Sequence, residues 1–234
     1  MKKKNLFCIP YAGGSSIIYN SWHKFLDINF ELFPVELAGR GKRYKTPLYL
    51  TFDQAVNDIF TIIEEQITNL PYAIFGHSMG GLIAYELYFK IIEEGYNPPS
   101  HIFLSAIKPP HLKNKNISDL SDEKFKEEIM NFSNIQKKIL KNQVLSDILL
   151  PILKADFKVF ENYSFNNSRN KLDCPITVFF AENDLITDEE ILQWSDYTNL
   201  NFNMYNFSDD HFFINKEENS NRIIELINSN MLKV

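Results

Sequence analysis

One stretch constrains this chain more than any other: Tyr72-Ala73-Ile74-Phe75-Gly76-His77-Ser78-Met79-Gly80-Gly81, followed by a helix-like run from Leu82 to Glu94. An apolar run ends at a glycine, a serine follows two residues later, and a second glycine two residues after that. This is a G-x-S-x-G pattern set between a strand and a helix, the context in which it marks a sharp turn that lifts a serine hydroxyl clear of a sheet. Such a turn holds its serine in strained backbone geometry. Gly76 and Gly80, lacking a Cβ, let strand and helix approach closely. Ser78 is therefore a candidate nucleophile. Met79 opens the helix and is placed to aim its backbone N–H at an oxyanion. The plainer alternative, a glycine-rich turn that happens to hold a serine, does not account for the strand before and the helix after.

The rest of the chain repeats the alternation. Asn5 to Ile9 reads as a strand, ended by Pro10-Tyr11-Ala12-Gly13-Gly14-Ser15-Ser16, whose Gly-Gly pair turns the backbone and presents N–H groups. A helix is predicted from Ser16 to Leu26 and a strand from Phe30 to Val35, and Glu36 to Arg43 reads as a polar, basic loop. Thr51-Phe52-Asp53-Gln54 is a capping box opening a helix to about Asn69. Gly95 and Pro98-Pro99 stop the helix after the serine. Further strands are predicted over His101–Ala106, Ile176–Ala181 and Asn201–Phe207. Thr187–Glu190 and Asn215–Glu218 read as caps of two more helices, the first running through Trp194. Strands separated by helices make an α/β fold, a mostly parallel central sheet with helices on both faces.

Residues 113–163 break the alternation with a helical pattern and no strand. They are expected to form an insertion over the C-terminal edge of the sheet, where ligands bind in such folds. Leu149, Leu150, Ile152, Leu153, Phe157, Val159 and Phe160 would line an apolar tunnel there, or form the insertion's own core. The whole chain, residues 1–234, is read as one domain with this insertion within it.

Composition narrows the function classes. A net charge of −6 gives no case for nucleic-acid binding. The start, Lys2-Lys3-Lys4 then Leu6-Phe7-Cys8-Ile9, mimics a signal peptide, but the apolar run is short and Pro10 interrupts it. No apolar segment approaches membrane-spanning length. The two cysteines, Cys8 and Cys174, sit in or beside strand-like runs as small hydrophobes, which fits a reducing, cytoplasmic setting.

A serine nucleophile needs a base, and the base needs an orienting acid. Folds with this turn carry them in the chain order serine, acid, histidine. Of five histidines, His77 lies inside the turn, and His23, His101 and His111 fit that order badly. His211, in Ser208-Asp209-Asp210-His211-Phe212-Phe213 after the last strand, is the candidate base. Asp184, in Ala181-Glu182-Asn183-Asp184 at a strand end, is the candidate acid. Its rivals are Glu182, Asp188, Asp209 and Asp210.

These segments together resemble a family. Phe7-Cys8-Ile9-Pro10-Tyr11-Ala12-Gly13-Gly14 looks like the oxyanion loop of type II thioesterases, stand-alone α/β-hydrolases that serve nonribosomal peptide and polyketide synthases. Ala38-Gly39-Arg40-Gly41 resembles that family's PGRG loop, with Ala for Pro. Gly76 to Gly81 matches its turn, Leu150 to Phe157 resembles the end of its lid, and Ala181–Asp184 and His211–Phe213 match its acid and base segments. The chain departs from the pattern where Asp209-Asp210 replace the usual Gly-Gly, and where Glu182-Asn183 stand without the usual glycine before the acid.

The resemblance implies an α/β-hydrolase fold with a helical lid, and a Ser78–His211–Asp184 triad. It places the backbone N–H groups of Ala12 and Met79 in the oxyanion hole, with no cofactor and no metal. It implies a monomer whose partners are acyl or peptidyl carrier domains bearing acyl groups on phosphopantetheine, with no nucleic acid and no membrane. Aberrant or stalled acyl groups would be removed. Lys137, Lys138 and Lys141, or Lys42 and Arg43, would meet an acidic carrier, although a solvated helix face is the ordinary reading of any one lysine. Asp209 and Asp210 are expected to favour the protonated imidazole. The alternatives are a product-releasing or chain-length-setting fatty acyl thioesterase and, more distantly, a carboxylesterase or a noncatalytic binding protein of the same fold.

Overall fold

The computed structural model describes residues 3–67, 70–113, 115–130 and 140–231. Its centre is a six-stranded sheet: β1 (Lys4–Ile9), β2 (Phe30–Pro34), β3 (Tyr72–His77), β4 (His101–Ser105), β5 (Ile176–Ala181) and β6 (Phe202–Phe207). The order across the sheet is β2-β1-β3-β4-β5-β6, and all five pairings are parallel. Parallel strands need crossovers; α1 (Phe52–Ile63), α2 (Met79–Glu93), α3 (Asp122–Met130), α4 (Gln143–Glu161) and α5 (Asp188–Leu192) lie within them, and α6 (Glu217–Met231) follows β6.

The order reverses direction between β1 and β3. Crevices open at the C-terminal ends of strands flanking such a switch point. Ile9 of β1 stands in register with Gly76 of β3, so the loop after β1 and the turn at Ser78 emerge side by side.

Burial on both faces explains the near-continuous apolar strands. Phe7, Ile9, Tyr72, Ile74, Ile102, Leu104, Ile176, Val178 and Phe180 pack with α1 and α2 on one side. Leu6, Cys8, Ala73, Phe75, Phe103, Phe179 and Ala181 pack on the other with Tyr19, Trp22 and the α6 residues Ile223, Ile224 and Ile227. Cys8 and Cys174, both buried and free, fall in different halves of this core.

Several boundaries differ from the sequence reading, each for a tertiary reason. Ser16–Lys24 is a 3-10 helix rather than an α-helix. Its buried Tyr19 and Trp22 are three residues apart, the period of that helix. α1 ends at Ile63 in a 3-10 turn, Glu64–Gln66, and the expected end at Asn69 lies outside the described residues. At its start Thr51 accepts from Gln54 N–H at 3.2 Å, but the Gln54 side chain accepts from Leu50 rather than Thr51. The Thr187–Glu190 box closes both ways, and the helix then tightens into a 3-10 turn at Gln193–Tyr197, enclosing Trp194. Asn215 does not cap α6; its side chain donates to the Tyr11 hydroxyl at 3.4 Å.

Between β4 and β5, α3 and α4 gather their own apolar cluster, Ile117, Phe125, Ile129, Leu140, Leu150 and Leu153. Val159, farther along α4, joins the main core. Among the described residues no helix is long and apolar enough to cross a membrane.

The closest backbone packing is at the turn after β3. A Cβ on Gly76 would lie 2.0 Å from the Gly80 carbonyl oxygen, and one on Gly80 would lie 2.3 Å from that of Ile9. Backbone cannot step aside as a side chain does. Gly95, at the end of α2, has φ +82° but nothing within 4 Å of its missing Cβ. Gly95→Ala is therefore expected to cost about 1 kcal/mol, the penalty of the left-handed region alone. Gly76→Ala is expected to cost about 3 kcal/mol or more, because the strand or the helix must shift. Urea unfolding of the two variants checks the ordering.

Candidate active site

Ser78 sits between the last residue of β3 and the first of α2, with φ +53° and ψ −121°. A non-glycine residue there is strained, and it persists because its surroundings over-determine it. Its N–H donates to Ser105 O at 2.7 Å, and its own carbonyl accepts from Gly81 N–H at 2.8 Å.

His211 follows β6 and Asp184 follows β5. The two strands are paired, and their trailing loops are tied by Glu182 N–H to Phe207 O at 3.0 Å and Asn183 N–H to Asp209 O at 3.1 Å. His211 Nδ1 stands 2.7 Å from Asp184 Oδ2, and the Asp184 side chain is 2% exposed. The other Asp184 oxygen accepts from Leu185 N–H at 2.6 Å. A carboxylate at Nδ1 selects the tautomer that leaves Nε2 unprotonated, ready to take a proton.

The rival acids are occupied elsewhere. Asp188 begins α5, and Glu182 is exposed. Asp209 takes Lys216 Nζ at 2.7 Å and Asn219 Nδ2 at 3.0 Å, and Asp210 accepts from Phe212 N–H at 2.9 Å. The hydrogen bonds of both acids thus build the loop, and Asp209 also engages Lys216.

Ala12, Ser78, Met79, Asp184 and His211 line one cavity of about 360 Å³. Its apolar walls include Ile107, Ile117, Ile129, Ile186 and Phe212. The tunnel residues expected from α4 divide. Leu153, Phe157 and Phe160 line this cavity, Leu149 and Leu150 pack into the cluster between α3 and α4, and Val159 enters the main core. Lys115 and Glu128, 2.6 Å apart, put an ion pair in an otherwise apolar wall.

Sequence reasoning missed a buried polar contact beside the cavity. Arg40, assigned to a solvated basic loop, is 5% exposed and grips Asp156 of α4 through two bonds of 2.6 and 2.7 Å. The family resemblance marked both segments, Ala38–Gly41 and Leu150–Phe157, but not their contact. Arg43 is also committed, to Asp58 at 2.6 and 2.7 Å, whereas Lys42 and Lys141 are exposed. Lys137 and Lys138 lie outside the described residues.

With this geometry in hand, comparison with known proteins is specific. A family model described as a thioesterase domain matches residues 4–231. The chain is 33% identical over 215 residues to the gramicidin S biosynthesis protein GrsT of Aneurinibacillus migulanus, covering 91% of this chain and 83% of that protein. It is 31% identical to the medium-chain S-acyl fatty acid synthase thioesterase of Rattus norvegicus, covering 93% and 84%. The crystal structure of ClbQ from the colibactin NRPS/PKS pathway superposes with a TM-score of 0.93 at 33% identity, covering 99% of this chain and 98% of that one. The fold is that of the α/β-hydrolases.

Three of the remaining histidines have structural surroundings. His111 is exposed between Tyr197 and Gln193. His77 is fully buried, with Nδ1 2.8 Å from Ser105 Oγ and its ring 5.4 Å from that of His211. Burial first, and then the neighbouring imidazole, push it well below its ordinary pKa. His101, 2.8 Å from Thr177 Oγ1, is held down to about 4 by burial. An unfolded histidine titrates near ~6.5, so the unfolded chain takes up the proton first as pH falls. Stability is therefore full above about pH 6.5 and declines towards pH 4, with His101 alone contributing about 3 kcal/mol of the loss. His101→Asn, which does not titrate, is expected to flatten that part of the decline in urea unfolding at pH 7 and pH 4.5.

Proposed function

The chain belongs to the thioesterase domain family, and from that premise we propose that it removes aberrant or stalled acyl groups from the phosphopantetheine arms of carrier domains in nonribosomal peptide and polyketide assembly. Its chemistry is thioester hydrolysis. The observation that carries the reading is the convergence of Ser78, the Asp184–His211 pair and the backbone of Ala12 and Met79 on one largely apolar cavity. The cavity suits an acyl chain, and the polar groups at one side suit its carbonyl.

In this mechanism His211 Nε2 takes the Ser78 proton as Oγ attacks the thioester carbonyl. The N–H groups of Ala12 and Met79 receive the oxyanion, a contribution worth about 3 kcal/mol per donor. Asp184 holds the imidazole and stabilises its cation. The C–S bond then breaks and the sulfur leaves as a thiol with the proton from His211, an easy departure because thiol pKa values lie near ~8.5. Water attacks the acyl-serine, His211 takes its proton and returns it to Ser78 Oγ, and the free carboxylic acid departs.

Each copy assembles this set by itself, which supports action as a monomer. Two buried free thiols, Cys8 and Cys174, support a reducing cytoplasm. Similarity to a medium-chain fatty acid synthase thioesterase favours a second reading, release of a finished fatty acyl chain.

Two measurements test the proposal. Ser78→Ala is expected to fold with an unchanged melting temperature and to lose about 10⁵–10⁶-fold in kcat; retained turnover removes Ser78 from its role. Hydrolysis of short and aberrant acyl groups on carrier domains is expected to exceed that of the matching free thioesters. A preference for long fatty acyl chains regardless of carrier selects the second reading.

A further inference from the structure

Asp156 and Arg40 are 3% and 5% exposed, and such residues are rarely so buried unless paired. Their fork-to-fork contact is only part of the arrangement. Asp156 Oδ2 also accepts from Gly13 N–H at 2.7 Å. Arg40 donates through Nη1 to Gly14 O at 3.2 Å and through Nε to Ala38 O at 3.1 Å. One carboxylate and one guanidinium therefore join the loop after β1, the loop after β2 and helix α4.

We propose that Arg40 and Asp156 are positioning residues that couple the seating of α4 to the shape of the oxyanion loop, so that the site is competent only while α4 rests on Gly13. This builds on the role given above to Ala12. A peptide unit is planar, so the Gly13 N–H bond to Asp156 fixes the plane that carries the Ala12 carbonyl. The Ala12 N–H is then separated from a fixed plane by that residue's two dihedrals alone. Gly13, at φ +74°, and Gly14 have no side chain to hold the loop themselves. A Cβ on Gly13 would lie 2.5 Å from Leu153 Cδ2, so α4 sits directly on this glycine. Leu153 and Phe157, which line the cavity, flank Asp156 on the same helix. The wall that meets the acyl chain and the acceptor that sets the oxyanion loop are thus one rigid element. Stability alone is a weak account of the pair, because apolar replacement of a buried ion pair is often neutral.

The test is the double variant Arg40→Leu/Asp156→Leu, which leaves no orphaned charge. Its melting temperature is expected within a few degrees of the parent. Turnover of an acyl N-acetylcysteamine thioester is expected to fall about 10²-fold in kcat, as when an oxyanion donor is lost, with KM changed less than about threefold. Inhibition by an alkylboronic acid, whose tetrahedral adduct needs the same donors, is expected to weaken in step with kcat, and hydrogen exchange at Gly13 to accelerate. A folded double variant that keeps kcat and boronate affinity, or whose Gly13 exchange is unchanged, overturns the coupling. If the double variant does not fold, Arg40→Lys keeps the charge without the fork, and a loss confined to melting temperature overturns the coupling. A parent that turns over no thioester refutes the thioesterase reading instead, and Gly13 exchange still decides the coupling.

Discussion

The contact on which this molecule turns is backbone against backbone: the first turn of α2 lies against the ends of β1 and β3 with no room for a Cβ at Gly76 or Gly80. That approach forces the connecting residue into the left-handed region, and the connecting residue is Ser78. The strain is tolerated because sheet and helix each supply a fixed partner, with Ser105 O of β4 taking the serine N–H and Gly81 N–H of α2 donating to its carbonyl. The same approach brings the loop after β1 beside the serine, since Ile9 and Gly76 are in register. The candidate nucleophile and the expected oxyanion loop are thus neighbours by strand order before any side chain is considered.

The two halves of the cavity are held by different forces. The candidate acid and base stand on loops that continue paired strands and remain hydrogen-bonded beyond them. The opposite wall comes from α3, α4 and the segment before them. There the fastenings are mostly side chains: Glu161 accepts from Ile117 and Ser118 N–H, and Lys158 and Lys154 reach Asp119 and Asp122. Those last two are exposed ion pairs, worth about 0–1 kcal/mol each. The candidate catalytic groups therefore stand on the half tied by backbone hydrogen bonds, and much of the apolar wall on the half fastened by side chains.

What was legible in the sequence follows from this division. The turn at Ser78 could be read because glycine spacing is a local consequence of close packing. Asp184 and His211 could be read because chain order and strand ends fix where such groups emerge. The features that escaped depend on partners far along the chain. Arg40 and Asp156 are 116 residues apart, and a basic loop looks solvated until the helix that covers it is known. Asp209 looked like a neighbour of the imidazole by adjacency, yet its Oδ2 takes Lys216 and Asn219 of the following segment and its Oδ1 accepts from Asp210 N–H. Asn215 looked like a cap, but the hydroxyl of Tyr11 claims it.

The buried knot at Arg40 alters how the two halves are related. Without it, the apolar wall and the chemical apparatus would communicate only through the substrate between them. With it, Asp156 makes one helix answerable both to what fills the cavity and to the peptide beside the expected oxyanion donor. A carboxylate can serve three N–H donors at once because its two oxygens offer about four lone-pair sites. An asparagine in its place has a single acceptor atom and no charge to hold the guanidinium. The demand for a charged pair on an otherwise apolar helix face is then a demand of catalytic geometry, because an apolar pair in its place would often satisfy fold stability alone.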